Sequence, residues 1–189
     1  MSAEPAEGDA ATGSAPAGYV EMEAAGILIL DGSHTLGLVS DDEEVLVPIS
    51  IGGTEALSIS LRLEEESFAR PLTHDLLDSV LEELGGELAH VQIDRIHRGT
   101  FHASVHLDAG DDVISIDSRS SDAVAMAVGA DVAIYVSEDV IDDSGIDRDE
   151  LERRTPPGQR PRLSPPSDDD EDDDTIEARP VSRSPHRAG

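Results

Sequence analysis

Residues 89–107 read AHVQIDRIHRGTFHASVHL, and this stretch decides the class of fold. Apolar residues take every second position on both sides of Arg98-Gly99, from Ala89 to Ile93 and from Phe101 to Leu107. A period of two is typical of a strand with one buried face, and Arg98-Gly99 supplies the turn. The pattern therefore predicts a β-hairpin with one face in the core and the other in solvent.

A change of period just before the hairpin predicts a helix over residues 73–84. Thr73 can cap its start, Asp75 suits the positive N-terminal end, and Gly85-Gly86 ends it. The five residues that form its apolar face are Leu76, Leu77, Val80, Leu81 and Leu84.

The remaining elements follow outward from these two. Strands are predicted over 20–30 and 35–39 around a turn at 31–33, over 45–49, over 113–116 and over 133–136. Pro48 cannot donate a ladder hydrogen bond, so the third strand lies at an edge or ends there. Helices are predicted over 54–65, after Gly52-Gly53, and over 121–128. The fold class is therefore α/β (α+β), a single mixed-sheet domain with about three helices.

Both ends of the chain differ in composition from this central part. Residues 1–18 are rich in Ala, Gly, Pro and acids, and residues 151–189 combine proline pairs with an acidic run at 168–174. Neither end has apolar periodicity, so neither buries enough surface to offset the entropy of ordering. We expect disordered tails on either side of a domain at residues 19–150.

Charge is the strongest compositional signal. The chain has 42 acidic residues against 13 basic ones, all of them Arg, for a net charge of -29. Residues 19–154 carry -23 of it, so the acidity belongs to the folded part. Such a domain repels itself in dilute buffer, and molar salt shortens the Debye length to about 3 Å. The composition resembles haloarchaeal proteins and predicts salt adaptation; the alternative is an ordinary acidic protein that binds basic partners.

Other composition features bear on location. Cysteine is absent, the first residues carry no basic start followed by an apolar stretch, and no apolar run approaches the ~20 residues that cross a bilayer. We expect a cytoplasmic protein with no membrane partner; its oligomeric state stays open, and a homo-oligomer is compatible with the sequence.

Four segments, in order, resemble one family. They are Pro48 to Ala56 (PISIGGTEA), Arg70 to Leu77 (RPLTHDLL), Thr100 to Ala103 (TFHA) and Ile116 to Ala123 (IDSRSSDA). Together they resemble the bifunctional nuclease domain family. One departure is Ser120, where the family has proline, and its hydroxyl can cap the following helix in proline's place.

The resemblance implies cleavage of DNA or RNA, and its segments hold residues suited to that chemistry. A histidine can move protons near neutral pH, Arg suits phosphate, and carboxylates can hold Mg²⁺ or another divalent cation. The candidate catalytic residues are His74, Asp75, Arg119 and Asp122; the candidate substrate-binding residues are Arg70, Thr73 and Ser121; the candidate metal ligands are Glu55 and Asp117. We expect the segments at His74 and Arg119 to converge in space.

Plainer interpretations stay open beside this one. The hydroxyls and acids at these helix starts can serve as caps and dipole partners, and the arginines can pair with the acids. A non-catalytic regulatory module that binds a small anion or a partner would use the same pocket. The histidines His90, His97, His102 and His106 form a row that is more typical of a solvated strand face than of a metal site.

Overall fold

A computed structural model describes residues 15–147 apart from 31, 42–43, 66–68 and 111. One eight-stranded sheet carries four helices, in the chain order β1 Tyr19–Leu30, β2 Ser33–Ser40, β3 Val45–Ile51, α1 Gly53–Leu63, α2 Thr73–Glu83, β4 Glu87–His97, β5 Thr100–Ala109, β6 Asp112–Arg119, α3 Ser120–Ala130, β7 Ile134–Ser137, α4 Glu138–Ser144 and β8 Ile146–Asp147. The strand order is β6-β5-β4-β7-β1-β2-β3-β8. The predicted α+β class with a single mixed sheet is confirmed.

The predicted hairpin is β4 and β5, which pair antiparallel with His97 opposite Thr100. Arg98 (φ 53°) and Gly99 (φ 78°) both have positive φ, as a two-residue hairpin turn with the strands' own twist requires. β4 also pairs in parallel with β7, whereas the other neighbouring strands are antiparallel. This one parallel pair makes the sheet mixed.

The second face of the hairpin is less wet than predicted. His90, Gln92 and His106 are half-buried, and the rings of His90 and His106 stack with centroids 4.3 Å apart. Tyr135 of β7 meets His90 edge-on. The reason is the parallel pairing, which sets Tyr135 opposite Gln92 and so covers this face from the next strand.

Helix α3 is the centre of the domain. It leaves the edge strand β6, contacts β4 and β5, and leads into β7, with α1 and α2 packed against it. Apart from Asp122, its residues are small or apolar, and nearly every side chain from Ser120 to Ala127 is buried. A helix that is apolar all round can be stable only inside the protein, which explains why this alanine-rich segment lies in the core.

Helix α2 differs from its prediction in two respects. None of its side chains is buried, and Leu76, Leu77, Val80 and Leu84 are exposed by 46–80%. Its cap residue is Leu72, so the prediction that Thr73 caps it is wrong; the backbone N–H of Leu72 instead donates to Oδ2 of Asp75 at 2.8 Å. Ser120 likewise does not cap α3, because Arg119 takes that position.

Two elements after β7 were not predicted from the sequence. They are the helix α4 and the two-residue strand β8, which forms the far edge of the sheet. β8 pairs with Val45 and Leu46, at the start of β3. β3 runs on through Pro48 to Ile51, so the strand does not end at the proline, which lies beyond the part that β8 covers.

The predicted tails fall almost entirely outside the described residues; positions 15–18 form the turn that leads into β1. Across the described residues, we find no helix both long and apolar enough to span a membrane.

Candidate functional site

Three helices begin with an acid at the same position, the third residue after the cap. The acids are Glu55 in α1, Asp75 in α2 and Asp122 in α3. An acid there faces the unpaired N–H groups and positive dipole end of its helix. Glu55 and Asp122 are brought together, although 66 positions separate them in the chain, whereas Asp75 is directed elsewhere.

Arg119 joins the first two carboxylates. Its Nε donates to Oδ2 of Asp122 at 2.7 Å and its Nη2 to Oδ1 at 2.9 Å, which is a two-pronged pair. Its Nη1 donates to Oε1 of Glu55 at 2.9 Å. Hydrogen bonds and charge attraction from Asp122, and then from Glu55, raise the pKa of Arg119. The Arg119 side chain is 67% exposed, so solvent or a ligand can still reach the guanidinium.

His74 lies beside this pair. Its Nε2 is 3.5 Å from Oδ1 of Asp122, and its Nδ1 is 2.8 Å from the hydroxyl of Ser58 in α1. The His74 side chain is only 15% exposed. Ser58, His74, Asp122, Arg119 and Glu55 therefore form one connected polar cluster, and the structure brings together His74, Arg119 and Asp122 of the four candidate catalytic residues.

Asp75 takes a different role from the one predicted. Its Oδ1 accepts a hydrogen bond at 2.8 Å from Nη2 of Arg62, which also donates to Asp78 at 2.7 Å. The other nitrogen of Arg62, Nη1, donates to the carbonyl oxygen of Ala125 at 3.1 Å. Arg62 is nearly buried and ties α1, α2 and α3 together, so Asp75 serves this junction and not the His74 cluster.

The remaining candidate residues are dispersed. Thr73 and Asp117 line the cavity described below. Ser121 is buried in α3 and does not line it, and Arg70 is exposed without a hydrogen bond or ion pair to the described part of the chain. The predicted substrate-binding set is therefore not assembled as a unit.

A cavity of about 950 Å³ opens between α1, α2 and the strands β5 and β6. The polar cluster occupies one end of it. The rest of the wall is mostly apolar, and its lining residues include Leu57, Leu61, Leu77, Leu81, Leu107 and Ile116. A concave site with an apolar wall and a few convergent polar groups is the usual form of a ligand site.

The cluster is a poor fit for a divalent cation as it is arranged. Among the described residues no three acid or histidine side chains are grouped closely enough to hold a metal. Arg119 lies between Glu55 and Asp122, where a cation would bind both. The side chain of Glu55 also folds back over Gly52, and a methyl group on that glycine would collide with the carboxylate. The absence of a side chain at Gly52 therefore makes room for this carboxylate.

Two residues of this region escaped the sequence analysis. Ser58 follows Glu55 by three positions, which on a helix puts both on one face, and that spacing could have revealed it. Arg62 follows Ser58 by four, but nothing local indicates that its guanidinium binds two acids of the next helix.

Comparison with known proteins identifies the family of this chain. The model of one family, described as the bifunctional nuclease domain, matches residues 37–149, more than half of the chain. This chain belongs to the bifunctional nuclease domain family. The matched span includes α1, α2, α3 and the whole polar cluster.

Named relatives cover only part of the same region. An uncharacterized protein from each of two strains of Mycobacterium tuberculosis is 39% identical over 100 residues, which is 53% of this chain and 59% of the relative. Bifunctional nuclease 2 of Arabidopsis thaliana is 27% identical over 124 residues, which is 62% of this chain and 38% of that protein. The chain thus spans less than two thirds of the length of these relatives.

Proposed function

We propose that this protein hydrolyses phosphodiester bonds of DNA or RNA and does so in molar salt. The observation that carries the proposal is the cluster of His74, Asp122 and Arg119 at the polar end of the cavity, in a chain of the bifunctional nuclease domain family. Histidine can transfer protons to and from a phosphate ester, and arginine can bind its non-bridging oxygens.

The chemistry follows from the contacts of His74. Nδ1 can donate its proton to the hydroxyl of Ser58, which holds the ring in place and leaves Nε2 as the base. His74 lines the cavity, and its Nε2 lies only loosely against Asp122. Nε2 can accept a proton from a water molecule that attacks phosphorus. The new P–O bond then forms as the bond to the leaving oxygen breaks, and protonated His74 returns the proton to that oxygen.

Arg119 would stabilise the charge that develops on the non-bridging phosphate oxygens, because its forked donors suit phosphate. To do so it must exchange at least one bond to Glu55 or Asp122 for a bond to the substrate. Since the cluster holds two carboxylates and one arginine, it attracts a bare phosphate weakly, and screening by salt should favour substrate binding.

The mechanism assigns no step to Mg²⁺, and whether the reaction requires this cation has to be tested. Glu55 is committed to Arg119, and Asp117 lies at the cavity wall, so neither offers a completed ligand set. Assays with Mg²⁺, with Mn²⁺ and with a chelator would establish whether a divalent cation is required.

The experiment is cleavage of end-labelled single-stranded RNA and duplex DNA in 2–3 M KCl (about twenty times more than ordinary buffers contain, which reduces the Debye length to about 3 Å or less). His74→Gln should reduce the rate by about a hundredfold or more, the usual scale for losing a general acid or base. His97→Gln is the matched control, because His97 is exposed at the hairpin turn and outside the cavity. Full activity in the His74→Gln protein would remove this mechanism.

A second function, binding without catalysis, has one observation in its favour. The cavity wall is mostly apolar, and Arg119 is already neutralised by two carboxylates. These features suit a ligand with an apolar body better than a small anion. If the wild-type protein cleaves neither nucleic acid under any of the metal conditions, this regulatory role becomes the better interpretation.

A further inference from the structure

One edge of the sheet is unusually apolar. β6 is the end strand of the sheet, so within the described residues one of its sides has no strand partner. Val113, Ile114 and Ile116 on it are 67%, 45% and 48% exposed. Soluble proteins usually protect such an edge with charges, proline, a bulge or a covering element, and residues 113–116 contain no charge and no proline.

Helix α2 adds a second apolar surface on the same side. Leu77, Val80 and Leu84 are spaced three and four apart, so they form one stripe along the helix, and all three are exposed. Leu77 of α2 and Ile116 of β6 line the same cavity. The stripe and the edge strand are therefore parts of one surface, which we call the β6–α2 face.

We propose that a second copy of this chain covers the β6–α2 face, with β6 paired antiparallel to β6 of the other copy. A two-fold axis perpendicular to the sheet relates the two strands, so a side chain on one face of the sheet in one copy lies on that same face in the other copy. Residues that face one another must then both be even-numbered or both be odd-numbered. With Ser115 on the axis, Ile114 lies opposite Ile116 of the second copy, twice, on the cavity side of the extended sheet.

The apolar area of this face approaches, at its upper bound, the apolar area that a standard dimer interface needs. Seven exposed apolar side chains lie on α2 or along both faces of the β6 edge, and their exposed fractions add up to roughly four whole side chains. At about 60–120 Å² each, as their transfer energies imply, they give roughly 200–450 Å² of apolar surface per copy. A standard interface takes about 800 Å² per partner, of which somewhat more than half is apolar. The seven are Leu76, Leu77, Val80, Leu84, Val113, Ile114 and Ile116.

Charge favours a second copy over nucleic acid at this face. In a chain of net charge -29, the segment 113–116 and the stripe on α2 are uncharged, so two copies meet where their repulsion is smallest. The cation at the end of β6, Arg119, is held by Asp122 and Glu55. Residues 113–116 themselves therefore offer a polyanion no cationic partner. Because Leu77 and Ile116 also line the proposed substrate cavity, the dimer is tested by mass and cross-linking and not by nuclease activity.

Sedimentation of the full chain in molar KCl tests the interface. Wild type should sediment as a dimer at micromolar concentration, Ile114→Glu as a monomer, and Ile29→Glu as a dimer. Ile29 is the matched control, since it is an isoleucine on β1 that is 70% exposed. A monomeric wild type up to 100 μM (roughly a hundred times a micromolar Kd, enough to saturate such a dimer), or an Ile114→Glu dimer, would overturn the proposal.

A cross-linking experiment tests the same pairing in case Ile114→Glu fails to fold. The chain has no cysteine, so Ser115→Cys introduces a single thiol. Residues directly opposite on antiparallel strands have Cβ atoms about 4.5–5.5 Å apart, so mild oxidation or a short thiol cross-linker should give a covalent dimer. Ser50→Cys, an exposed serine on β3, should remain monomeric under the same conditions. Equal yields from the two variants would contradict the placement on β6.

Discussion

The junction around Arg62 offers the sharpest test of how the helices are held. Arg62→Met keeps most of the aliphatic stem but removes the guanidinium, and with it the bonds to Asp75, Asp78 and the carbonyl of Ala125. Hydrogen bonds to charged groups contribute about 1.5–3 kcal/mol each. The two carboxylates are 41% and 34% exposed, so water can replace part of the loss. We expect a total destabilisation of about 2–4 kcal/mol.

Urea unfolding in molar KCl measures this loss as a shift of the midpoint at constant slope. The matched control is Arg95→Met, because Arg95 is an exposed arginine on β4 with no ion pair or hydrogen bond to the described residues. That change should alter the stability by less than about 0.5 kcal/mol, as for most surface substitutions. Equal stabilities of the Arg62→Met and Arg95→Met proteins would refute the idea that this junction holds α2 in place.

Gly129 extends the same test. A methyl group added there would collide with the guanidinium of Arg62, although Gly129 lies inside helix α3. Helix propensity alone predicts that Gly129→Ala gains about 0.5–1 kcal/mol. We expect a net loss in the wild-type background, since Arg62 is locked by its three partners, and a gain in the Arg62→Met background. The same sign in both backgrounds would show that the two sites do not interact.

Three further outcomes follow from the structure. Burial, and then the charge of His106, lower the pKa of His90 against the opposing effect of Asp108. The unfolded histidine takes up a proton near pH 6.5 and the folded one only at lower pH, so the contribution of neutral His90 to folding stability is present above pH 6.5 and is lost as the pH falls below it. His90→Gln should therefore flatten the fall in melting temperature between pH 7.5 and about 5.5. Dilution from molar KCl to about 0.1 M lengthens the Debye length from about 3 to 10 Å, so the melting temperature should drop markedly, and an unchanged value would argue against salt adaptation. Asp131 ends α3 in the left-handed region (φ 53°), so Asp131→Gly should raise stability by about 0.5 kcal/mol in urea unfolding, and a loss would mean that the aspartate is not strained there.

Much of the secondary structure could be predicted because its signals are local. The alternation on both sides of Arg98-Gly99 predicted β4 and β5, and the three- and four-residue spacing of leucines predicted α2. The elements that were missed, α4 and β8, are short and lack a full period of either kind. Where α2 packs could not be predicted, because periodicity identifies an apolar face and not the surface that covers it.

The sequence by itself therefore determined the strands and main helices, the family, the excess of acid and the residue types of the candidate site. Tertiary structure alone decided which of those residues meet. Glu55 and Asp122 both bind Arg119, and His74 hydrogen-bonds to Ser58. Asp75, the residue directly after His74, binds Arg62 instead. The physical reason is geometric: successive residues of a helix point about 100° apart, so neighbours in sequence serve different sites, and the order of the strands sets which helix starts lie side by side.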